Sequence, residues 1–502
     1  MRKKENLNME DGAVGRELVQ CLLCHDAPCS KACPHNLDPA KVLRSLRFAN
    51  LKGAVKNVTS ACQNCPAPCE KSCVLDGEIS IKEVLKNCYE KKEKLITDYK
   101  KADIKSDICG IEIENPFLLS SSVVSSSYDM CKRAFEAGWA GVSFKTICMM
   151  DIHEASPRFS AVKGVDGSFT AFKNIEQLSD HSVVENVKIF QKLKEEFPNK
   201  FLLVSIMGRN EEEWKFLAQV SESAGADALE LNFSCPNMTE DGTGSDVGQI
   251  PELVEKYTKA VTSTVKIPVL AKLTPNVMTM SPAAEAAMRG GAKGIAAINT
   301  IKSIADLNIA EKTYQNKKEE KVSVGGLSGQ AVRPIALRFI AELAQNKNLK
   351  GMHLSAMGGV YNYEDALAFL SLGAKSIQIT TAVMEYGYRI IDDLVEGLQY
   401  FVAASGHNSL KEIFGTGLQN VVDVEEIERD VVVYPKFLRE KCVHCGRCYL
   451  SCRDGGHQAI SFDENRNPIL DPKKCVGCHL CVLVCPNKAI VSSEIKVKKK
   501  NT

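Results

Sequence analysis

The middle of the chain, residues 107–400, alternates short apolar runs with longer amphipathic segments. The apolar runs are rich in β-branched residues, which is typical of buried strands. The segments that follow them have the spacing of helices with one apolar face, as at 127–137, 211–224, 251–263 and 362–372. The pattern therefore predicts strands at 117–122, 141–147, 201–207, 228–234, 269–274, 294–300, 352–357 and 376–381.

Eight such strand–helix units within residues 101–400 have the size and rhythm of a TIM (β/α)8 barrel. The rival fold is a doubly wound α/β sheet, in which a glycine-rich turn follows the first strand. Here Ser120, Ser121, Ser122 and Val123 stand at that turn. The barrel is therefore the predicted fold of this region.

Polar residues and glycines follow most of the predicted strands. They are Lys145, Thr146, residues 232–237, Lys272, Asn299, Thr300, Gly358, Gly359, Thr380 and Thr381. The carboxyl ends of barrel strands form the face that carries the active site, so we expect these residues to meet there. Residues 302–328 form a long polar connection that ends in glycine-rich 325–329, which is typical of a lid or a binding loop.

The two ends of the chain differ from this pattern. Residues 1–100 are rich in cysteine and charge, with helical spacing at 38–58 and 83–95. Residues 437–502 contain two similar cysteine runs that begin 33 residues apart, which indicates an internal duplication. We therefore expect an N-terminal α-helical domain (1–100), the barrel (101–400), a linker with helical pieces (401–436) and a duplicated C-terminal domain (437–502).

Composition excludes several classes of protein. The net charge is +1, from 63 Lys and Arg against 62 Asp and Glu, which gives no electrostatic case for binding nucleic acid or an acidic membrane. The N-terminal residues lack the apolar core of a signal peptide, and no apolar run approaches the ~20 residues that span a bilayer. We expect a cytoplasmic protein without a membrane segment.

Sixteen of the 21 cysteines lie in four runs, two near each end of the chain. The C-terminal runs read C-x2-C-x2-C-x3-C, and the second one ends in Cys485-Pro486. This spacing is typical of two [4Fe–4S] clusters, with the fourth cysteine of each run binding the other cluster. We expect Cys442, Cys445, Cys448 and Cys485 to hold one cluster, and Cys475, Cys478, Cys481 and Cys452 to hold the other.

The N-terminal runs are Cys21, Cys24, Cys29 and Cys33, followed by Cys62, Cys65, Cys69 and Cys73. Tight spacing and a reducing compartment favour metal binding over disulfides. Iron–sulfur clusters are the predicted occupants, and a zinc-binding head is the alternative. Several one-electron centres in one chain indicate electron transfer, so the barrel between them is predicted to be a redox enzyme.

Two motifs end neighbouring predicted strands: Glu-Leu-Asn-Phe-Ser-Cys-Pro-Asn at 230–237 and Ala-Lys-Leu-Thr-Pro-Asn at 271–276. With Asn-Pro-Phe at 115–117 and Gly358-Gly359, they resemble the dihydroorotate dehydrogenase class of FMN barrels. The resemblance is closer to the dihydropyrimidine dehydrogenase family. It continues through residues 133–139, 325–329 and 333–337 and extends to both cysteine-rich domains.

This resemblance implies three sets of site residues. Those that would hold FMN are Ser121, Lys145, Lys272, Gly329, Gly358, Gly359, Thr380 and Thr381. Those that would bind a pyrimidine base are Asn174, Asn232, Asn299 and Thr300. Cys235 would be the general acid, assisted by Ser234. The chemistry agrees, because glycine lets backbone N–H groups approach a phosphate and a nearby lysine favours the reduced flavin anion.

The predicted substrate set is neutral. An asparagine amide offers both a donor and an acceptor, so it can read the alternating C=O and N–H groups of uracil without charge. A carboxylated ring such as orotate would instead invite an arginine or a lysine. The set therefore favours uracil or thymine.

The sequence departs from the family pattern at two places. The head resembles a two-cluster domain that dihydropyrimidine dehydrogenase shares with the small subunit of glutamate synthase, which assigns one cluster to Cys21, Cys24, Cys29 and Cys73. A glutamine completes the second cluster in the family. Leu85 stands at that place here, and Cys62 is our candidate to join Cys33, Cys65 and Cys69. The second departure is Asn237, where animal members have histidine.

The function implied is reduction of the pyrimidine 5,6 double bond, or the reverse reaction. The clusters would deliver electrons to FMN, FMN would give a hydride, and Cys235 would give a proton. The sequence lacks a G-x-G-x-x-G motif in a Rossmann setting, so we expect a partner, either an NAD(P)H-oxidising FAD flavoprotein or a ferredoxin, and a homo- or hetero-oligomer. The alternatives are a dihydroorotate dehydrogenase or another FMN ene reductase, and an electron-transfer flavoprotein without pyrimidine chemistry.

Overall fold

The structure is a computed structural model that describes residues 17–75, 78–95, 101–164, 169–238, 242–305, 307 and 321–497. The chain divides into two compact units, residues 1–420 and 421–502. Within the described ranges, no helix combines the length and the apolar character that crossing a membrane requires.

Eight parallel strands close into a barrel, and their order around the barrel is their order along the chain. They are Phe117–Leu119, Gly141–Ile147, Phe201–Ile206, Ala228–Phe233, Val269–Leu273, Gly294–Ala297, His353–Met357 and Ser376–Ile379. The predicted TIM barrel and its eight strands are confirmed. Most strands end one to three residues before the predicted C-terminal boundary, and the residues left outside them form the loops of the C-terminal face.

A helix follows each barrel strand. The helices are Tyr128–Ala137, Val183–Glu196, Glu211–Ser223, Pro251–Thr262, Ser281–Arg289, Arg333–Gln345, Tyr363–Ser371 and Ile391–Ala404. Local sequence explains where several begin: Ser182 and Asn362 each form a capping box with the acidic residue three positions later. Their apolar faces bury large side chains against the barrel, as where Trp214 packs on Phe233 with ring centroids 5.2 Å apart.

A second sheet is built from two insertions at the C-terminal face. Strands Phe159–Lys163 and Phe169–Asn174 follow the second barrel strand, and Ile301–Ser303 and Gly325–Ser328 follow the sixth. They pair antiparallel into one four-stranded sheet, with Asn174 opposite Gly326. The long connection predicted at 302–328 thus begins and ends in this sheet, while residues 306 and 308–320 lie outside the described residues.

The N-terminal head contains the helices Pro28–Lys31, Pro39–Arg47, Leu51–Lys56, Pro68–Lys71 and Ile81–Leu95. The predicted helix at 83–95 is confirmed, but the single helix predicted at 38–58 is wrong. Ala49 adopts a left-handed conformation with φ 59°, and Asn50 Oδ1 accepts the backbone N–H of Gly53 at 2.9 Å. Asn50 therefore begins a new helix, because its side chain satisfies a backbone donor that a continuous helix would have paired.

The head packs against the last barrel helix through one buried carboxylate. Asp393 has a side chain that is 1% exposed, and it accepts hydrogen bonds from Arg44 Nε at 2.8 Å, Ser45 Oγ at 2.6 Å and Asn50 Nδ2 at 2.9 Å. All three donors lie in the head. Arg389 binds the head from the barrel side, donating to the backbone oxygens of Leu23 and Cys24.

The last barrel helix continues past residue 400, and Leu410 donates its backbone N–H to Asp103 O at 2.8 Å. Three short 3-10 turns follow at Leu410–Glu412, Leu418–Asn420 and Val424–Glu426.

The C-terminal unit pairs strand Val431–Phe437 with Ile490–Val497 and strand Ile460–Phe462 with Pro468–Leu470. Its helices are Arg447–Gly455 and Leu480–Leu483, which carry cysteines of the two runs.

Candidate active site

A cavity opens at the C-terminal face of the barrel. It brings together the residues predicted to bind FMN, which are Ser121, Lys145, Lys272, Gly329, Gly358, Gly359, Thr380 and Thr381. It also contains those predicted to bind the substrate, Asn174, Asn232, Asn299 and Thr300, together with Cys235. Ser234 alone among the predicted site residues lies behind the wall, fully buried.

One end of the cavity is a backbone cradle. Gly329 and Gly359 have φ of 92° and 76°, in the region that only glycine adopts without strain. A Cβ added to Gly359 would lie 2.9 Å from Gly329 O and 2.7 Å from Arg333 Cβ, so the two loops approach too closely for any side chain. The helix Arg333–Gln345 begins beside this cradle, and its N-cap residue Val332 lines the cavity. Glycine turns beside a helix N-terminus are suited to a phosphate.

A buried ion pair lies on the barrel side of the cavity. Lys272 Nζ lies 3.3 Å from Glu230 Oε1 and 2.8 Å from Ser121 Oγ. Ser121 in turn donates to Glu230 Oε1 at 2.8 Å. Sequence analysis identified Lys272 and Ser121 but missed Glu230. The available signal was a carboxylate in the middle of an otherwise apolar buried strand, which requires a partner.

The other cavity lysine is also paired. Lys145 Nζ lies 2.7 Å from Glu176 Oε2 and 3.7 Å from Glu154 Oε1. Arg158 approaches the same two carboxylates, with Nη1 2.8 Å from Glu176 Oε1. Burial raises the pKa of Glu154, and the charge of Glu176 raises it further. Neither glutamate was identified from the sequence, because both lie in an insertion whose fold over the barrel has no local signal.

Two polar side chains near the strand ends, Thr146 and Ser234, hold the amides of Asn232 and Asn299 in place. Asn232 donates from Nδ2 to Thr146 Oγ1 at 2.9 Å, and its Oδ1 accepts the Ser234 hydroxyl at 2.8 Å. Asn299 Nδ2 donates to Ser234 Oγ at 2.8 Å. Ser234 therefore links two predicted substrate-binding amides, because its hydroxyl accepts from Asn299 and donates to Asn232.

Asn237 links the loop that carries Cys235 to the second sheet. Its Nδ2 donates to Asn174 Oδ1 at 3.1 Å and to Glu176 O at 2.9 Å. Asn174 Nδ2 donates to Gly326 O at 3.1 Å, so this amide is held from both sides. Asn237, at the position where animal members of the family have histidine, thus places a neutral amide between the loop of the predicted general acid and a predicted substrate residue.

Cys235 lies at the cavity wall and is 7% exposed. Burial, reinforced by the negative charge of Glu154, raises the pKa of its thiol to about 11. The loop is held at this point because Ser245 donates its backbone N–H to Cys235 O at 2.9 Å. The thiol therefore carries its proton throughout the neutral range and can donate it to a bound molecule.

The cysteine runs gather around three small cavities. Two of them lie in the C-terminal unit, one lined by Cys442, Cys445, Cys448 and Cys485 and the other by Cys452, Cys475, Cys478 and Cys481. The third lies in the head and is lined by Cys33, Cys62, Cys65 and Cys69, with Leu85 beside them. In the part of the chain that the structure describes, no three cysteine, histidine or carboxylate side chains converge on a single-ion site.

The remaining head cysteines are also neighbours. Burial raises the pKa of Cys21, and nearby Cys24 and Cys73 raise it further. Burial likewise raises the pKa of Cys29, to which Cys21 and Cys73 contribute. These four thiols form the set that the resemblance to two-cluster domains assigned to one cluster.

Comparison with known proteins agrees with this architecture. The family model for dihydroorotate dehydrogenase matches residues 103–402, and the model for a 4Fe-4S dicluster domain matches residues 437–492. The chain is 48% identical over 398 residues to the NAD-dependent dihydropyrimidine dehydrogenase subunit PreA of Escherichia coli (strain K12), covering 79% of this chain and 97% of that protein.

More distant relatives include the chloroplastic dihydropyrimidine dehydrogenase (NADP(+)) of Arabidopsis thaliana, with 33% identity over 63% of this chain and 77% of that protein. The catalytic subunit of dihydroorotate dehydrogenase B (NAD(+)) of Pyrococcus furiosus is 36% identical over 62% of this chain and 98% of that protein. The crystal structure of the Eimeria tenella DHODH in complex with ferulenol superposes with a TM-score of 0.52 at 16% identity, covering 65% of this chain and 93% of that one, which supports the barrel fold alone.

Proposed function

The chain belongs to the dihydroorotate dehydrogenase family and, within that barrel class, to the dihydropyrimidine dehydrogenases, and on this premise we propose that it interconverts a pyrimidine base and its 5,6-dihydro form. Uracil or thymine is the proposed substrate. The large cavity of the barrel would hold both the base and FMN.

The observation that carries this choice of substrate is the pairing of charge in the cavity. Lys145 and Lys272 each lie within 3.3 Å of a carboxylate oxygen, from Glu176 and Glu230 respectively. Among the described residues that line the cavity, both lysines are thus compensated, and the amides that remain are neutral. A carboxylate such as that of orotate would have to compete with a protein carboxylate for its cation, whereas the edge of uracil needs only amide partners.

The residues present fit FMN. The backbone cradle at Gly329 and Gly359 excludes side chains and suits the phosphate, and Lys272, which is paired with Glu230, lines the same cavity and would lie near the ring. When bound, FMN would supply the hydride and would couple one-electron carriers to a two-electron reaction. The protein's own part would be to orient the base through Asn174, Asn232, Asn299 and Thr300, which line the same cavity.

Cys235 would deliver the proton that the reduced ring requires. Its thiol is protonated at neutral pH because burial raises its pKa to about 11, and it lies on the same wall as the substrate amides. Ser234 would assist by fixing Asn232 and Asn299 relative to this thiol, at 2.8 Å from each. In the oxidative direction the same sulfur would accept the proton.

The four cysteine sets would hold [4Fe–4S] clusters. Three of the sets each line a small cavity with apolar residues beside them, and the fourth, Cys21, Cys24, Cys29 and Cys73, is a group of neighbouring thiols. In the second head cluster, Cys62 would take the place of the family's glutamine, since it lies with Cys33, Cys65 and Cys69 around a cavity that Leu85 also lines. Electrons would enter from a partner, either an NAD(P)H-oxidising FAD flavoprotein or a ferredoxin.

The function is tested by titrating the anaerobically reduced full-length protein, loaded with FMN, with uracil and separately with orotate. We expect uracil to restore the oxidised flavin band with formation of dihydrouracil, and orotate to restore it far less effectively. The variant Glu176→Gln should improve the response to orotate, because it releases Lys145. Equal or preferential oxidation by orotate in the wild-type protein would contradict the proposed substrate.

A further inference from the structure

We propose that Glu230 is a positioning residue for the flavin, which holds Lys272 and Ser121 at the ring and lowers the reduction potential by balancing the lysine charge. This inference rests on the proposed function only in that FMN occupies the barrel cavity. It concerns a side chain that lies beneath the cavity and does not itself line it.

The Glu230 carboxylate ties four barrel strands together from inside. It is fully buried on the fourth strand. Its Oε1 accepts Ser121 Oγ at 2.8 Å and Ser143 Oγ at 3.2 Å, and its Oε2 accepts Gln378 Nε2 at 3.0 Å. Lys272 Nζ completes the set at 3.3 Å. These partners come from the first, second, eighth and fifth strands or the loops that directly follow them, so the carboxylate is fully coordinated and its geometry is determined by the barrel.

This arrangement leaves Lys272 aimed at the cavity. An ammonium group has three N–H donors. One of them is directed to Ser121 Oγ at 2.8 Å, and the nitrogen lies 3.3 Å from Glu230 Oε1 in an ion pair. Lys272 also lines the cavity, and its side chain is only 4% exposed, so its charge lies at the cavity wall. A lysine buried to this degree needs a counterion, and Glu230 is the carboxylate that lies within ion-pair distance.

Among the described residues that the hydrogen-bonded network reaches beyond Gln378, none carries a full charge. Gln378 Nε2 also donates to Ser355 Oγ at 3.1 Å, Ser376 Oγ donates to Ser355 Oγ at 2.9 Å, and His353 Nε2 lies 3.0 Å from Ser376 Oγ. Burial lowers the pKa of His353 to about 4, so its ring is neutral at neutral pH. Of the described groups in this network, Glu230 and Lys272 therefore carry the charges that act on the ring.

The consequence for the flavin follows from Coulomb's law. Reduction adds negative charge to the ring, and a nearby positive charge favours it. When Glu230 is ionised, its negative charge and the positive charge of Lys272 cancel, so the pair has no net charge and acts on the ring mainly as a dipole. Glu230→Gln preserves the shape and most hydrogen bonds but leaves the charge of Lys272 unbalanced, so it should shift the midpoint potential of bound FMN to more positive values. Lys272→Met should shift it to more negative values.

The experiment measures the midpoint potential and the dissociation constant of FMN in the full-length protein, for wild type, Glu230→Gln, Lys272→Met and the double variant. Glu213→Gln is the matched control, because Glu213 is also buried and paired with an arginine but lies on an outer helix. The proposal expects Glu230→Gln to raise the potential in both the wild-type and the Lys272→Met backgrounds, and Glu213→Gln to leave it unchanged.

A purely structural role for Glu230 would reduce thermal stability or FMN affinity without moving the potential, and that result would overturn the proposal. Glu230→Gln leaves the charge of Lys272 buried without a partner, so this variant could fail to fold. The double variant removes both charges and then provides the comparison with Lys272→Met. If the two variants had the same FMN midpoint potential, that result would likewise overturn the proposal. These readouts need no pyrimidine. A wrong substrate would leave them intact, whereas failure of the wild-type chain to bind FMN would count against the proposed function.

Discussion

Asn237 donates its side-chain amide to Asn174 Oδ1 at 3.1 Å, across the mouth of the barrel cavity. The contact joins the loop of the proposed general acid to a strand of the second sheet. A second bond from the same nitrogen to Glu176 O, at 2.9 Å, reinforces it. Asn237 therefore holds the Cys235 loop against the second sheet at the cavity.

Removing this side chain should weaken productive binding of the base. Asn237→Ala loses two hydrogen bonds, each worth ~1 kcal/mol, so we expect kcat/KM for uracil to fall by up to about 30-fold, mostly through KM. Steady-state kinetics with a saturating electron donor measures this. Asn346→Ala is the control, because Asn346 makes a similar amide–carboxylate bond to Glu285 far from the cavity. Unchanged kinetics in Asn237→Ala would show that the contact has no role in the reaction.

The stability of the contact between the head and the barrel should depend on Asp393 but not on the adjacent Asp392. Asp393→Ala leaves Arg44 without its buried partner, so we expect a loss of about 3–5 kcal/mol in the free energy of unfolding. Asp392 contacts the same guanidinium at 3.2 Å, but its side chain is 53% exposed. Asp392→Ala should therefore cost about 0–1 kcal/mol. Denaturant unfolding of both variants tests this. Equal losses of unfolding free energy would show that burial of Asp393 does not stabilise the contact between head and barrel.

Iron content tests the proposed replacement of the family's glutamine. Cys62→Ser should remove or destabilise one [4Fe–4S] cluster, since Cys62 lies with three other thiols around the head cavity. Cys88→Ser is the control, because Cys88 is a buried cysteine that none of the three cluster cavities includes. Iron and sulfide analysis, with EPR of the reduced protein, gives the result. Full cluster content in Cys62→Ser would exclude Cys62 as a ligand.

The architecture of the barrel could be predicted almost completely from the sequence. Each strand buries both faces, so it is read as a continuous apolar run, as at Gly141–Ile147, and local caps such as Ser182 determine where helices begin. The site residues could be placed because they follow strand ends. In contrast, the break at Asn50 has only a weak local signal, a single asparagine that can cap a new helix, and the contact of Asn50 with Asp393, 343 residues away, cannot be read from the sequence.

The carboxylates of the site were missed for a related reason. Glu154 and Glu176 meet Lys145 only because the inserted strands fold over the barrel, and such pairing between distant segments is set by tertiary contacts. Glu230 was visible as part of a motif, but its role depends on partners from four strands. Pattern and spacing therefore locate the site, while its charge balance requires the structure.

The pH dependence of proton delivery follows from the state of Cys235. Burial raises the pKa of the thiol to about 11, so the proton-donating form is present at all lower pH values and is lost only as the pH rises through that value. We expect the rate of flavin reoxidation by uracil to be flat across neutral pH on this account and to fall only on the alkaline side. A fall with an apparent pKa near the unperturbed ~8.5 would contradict the buried environment of the thiol.

The most direct test of the central claim is the rate at which uracil reoxidises reduced flavin in Cys235→Ala, measured anaerobically in a single turnover. The account predicts that the variant retains FMN and can still be reduced, while reoxidation by uracil slows by roughly 10²–10⁴-fold, the contribution typical of a general acid. Cys131→Ala, which removes a buried thiol outside the site, should behave as wild type. Reoxidation of Cys235→Ala at the wild-type rate would contradict the assignment of Cys235 as the proton donor.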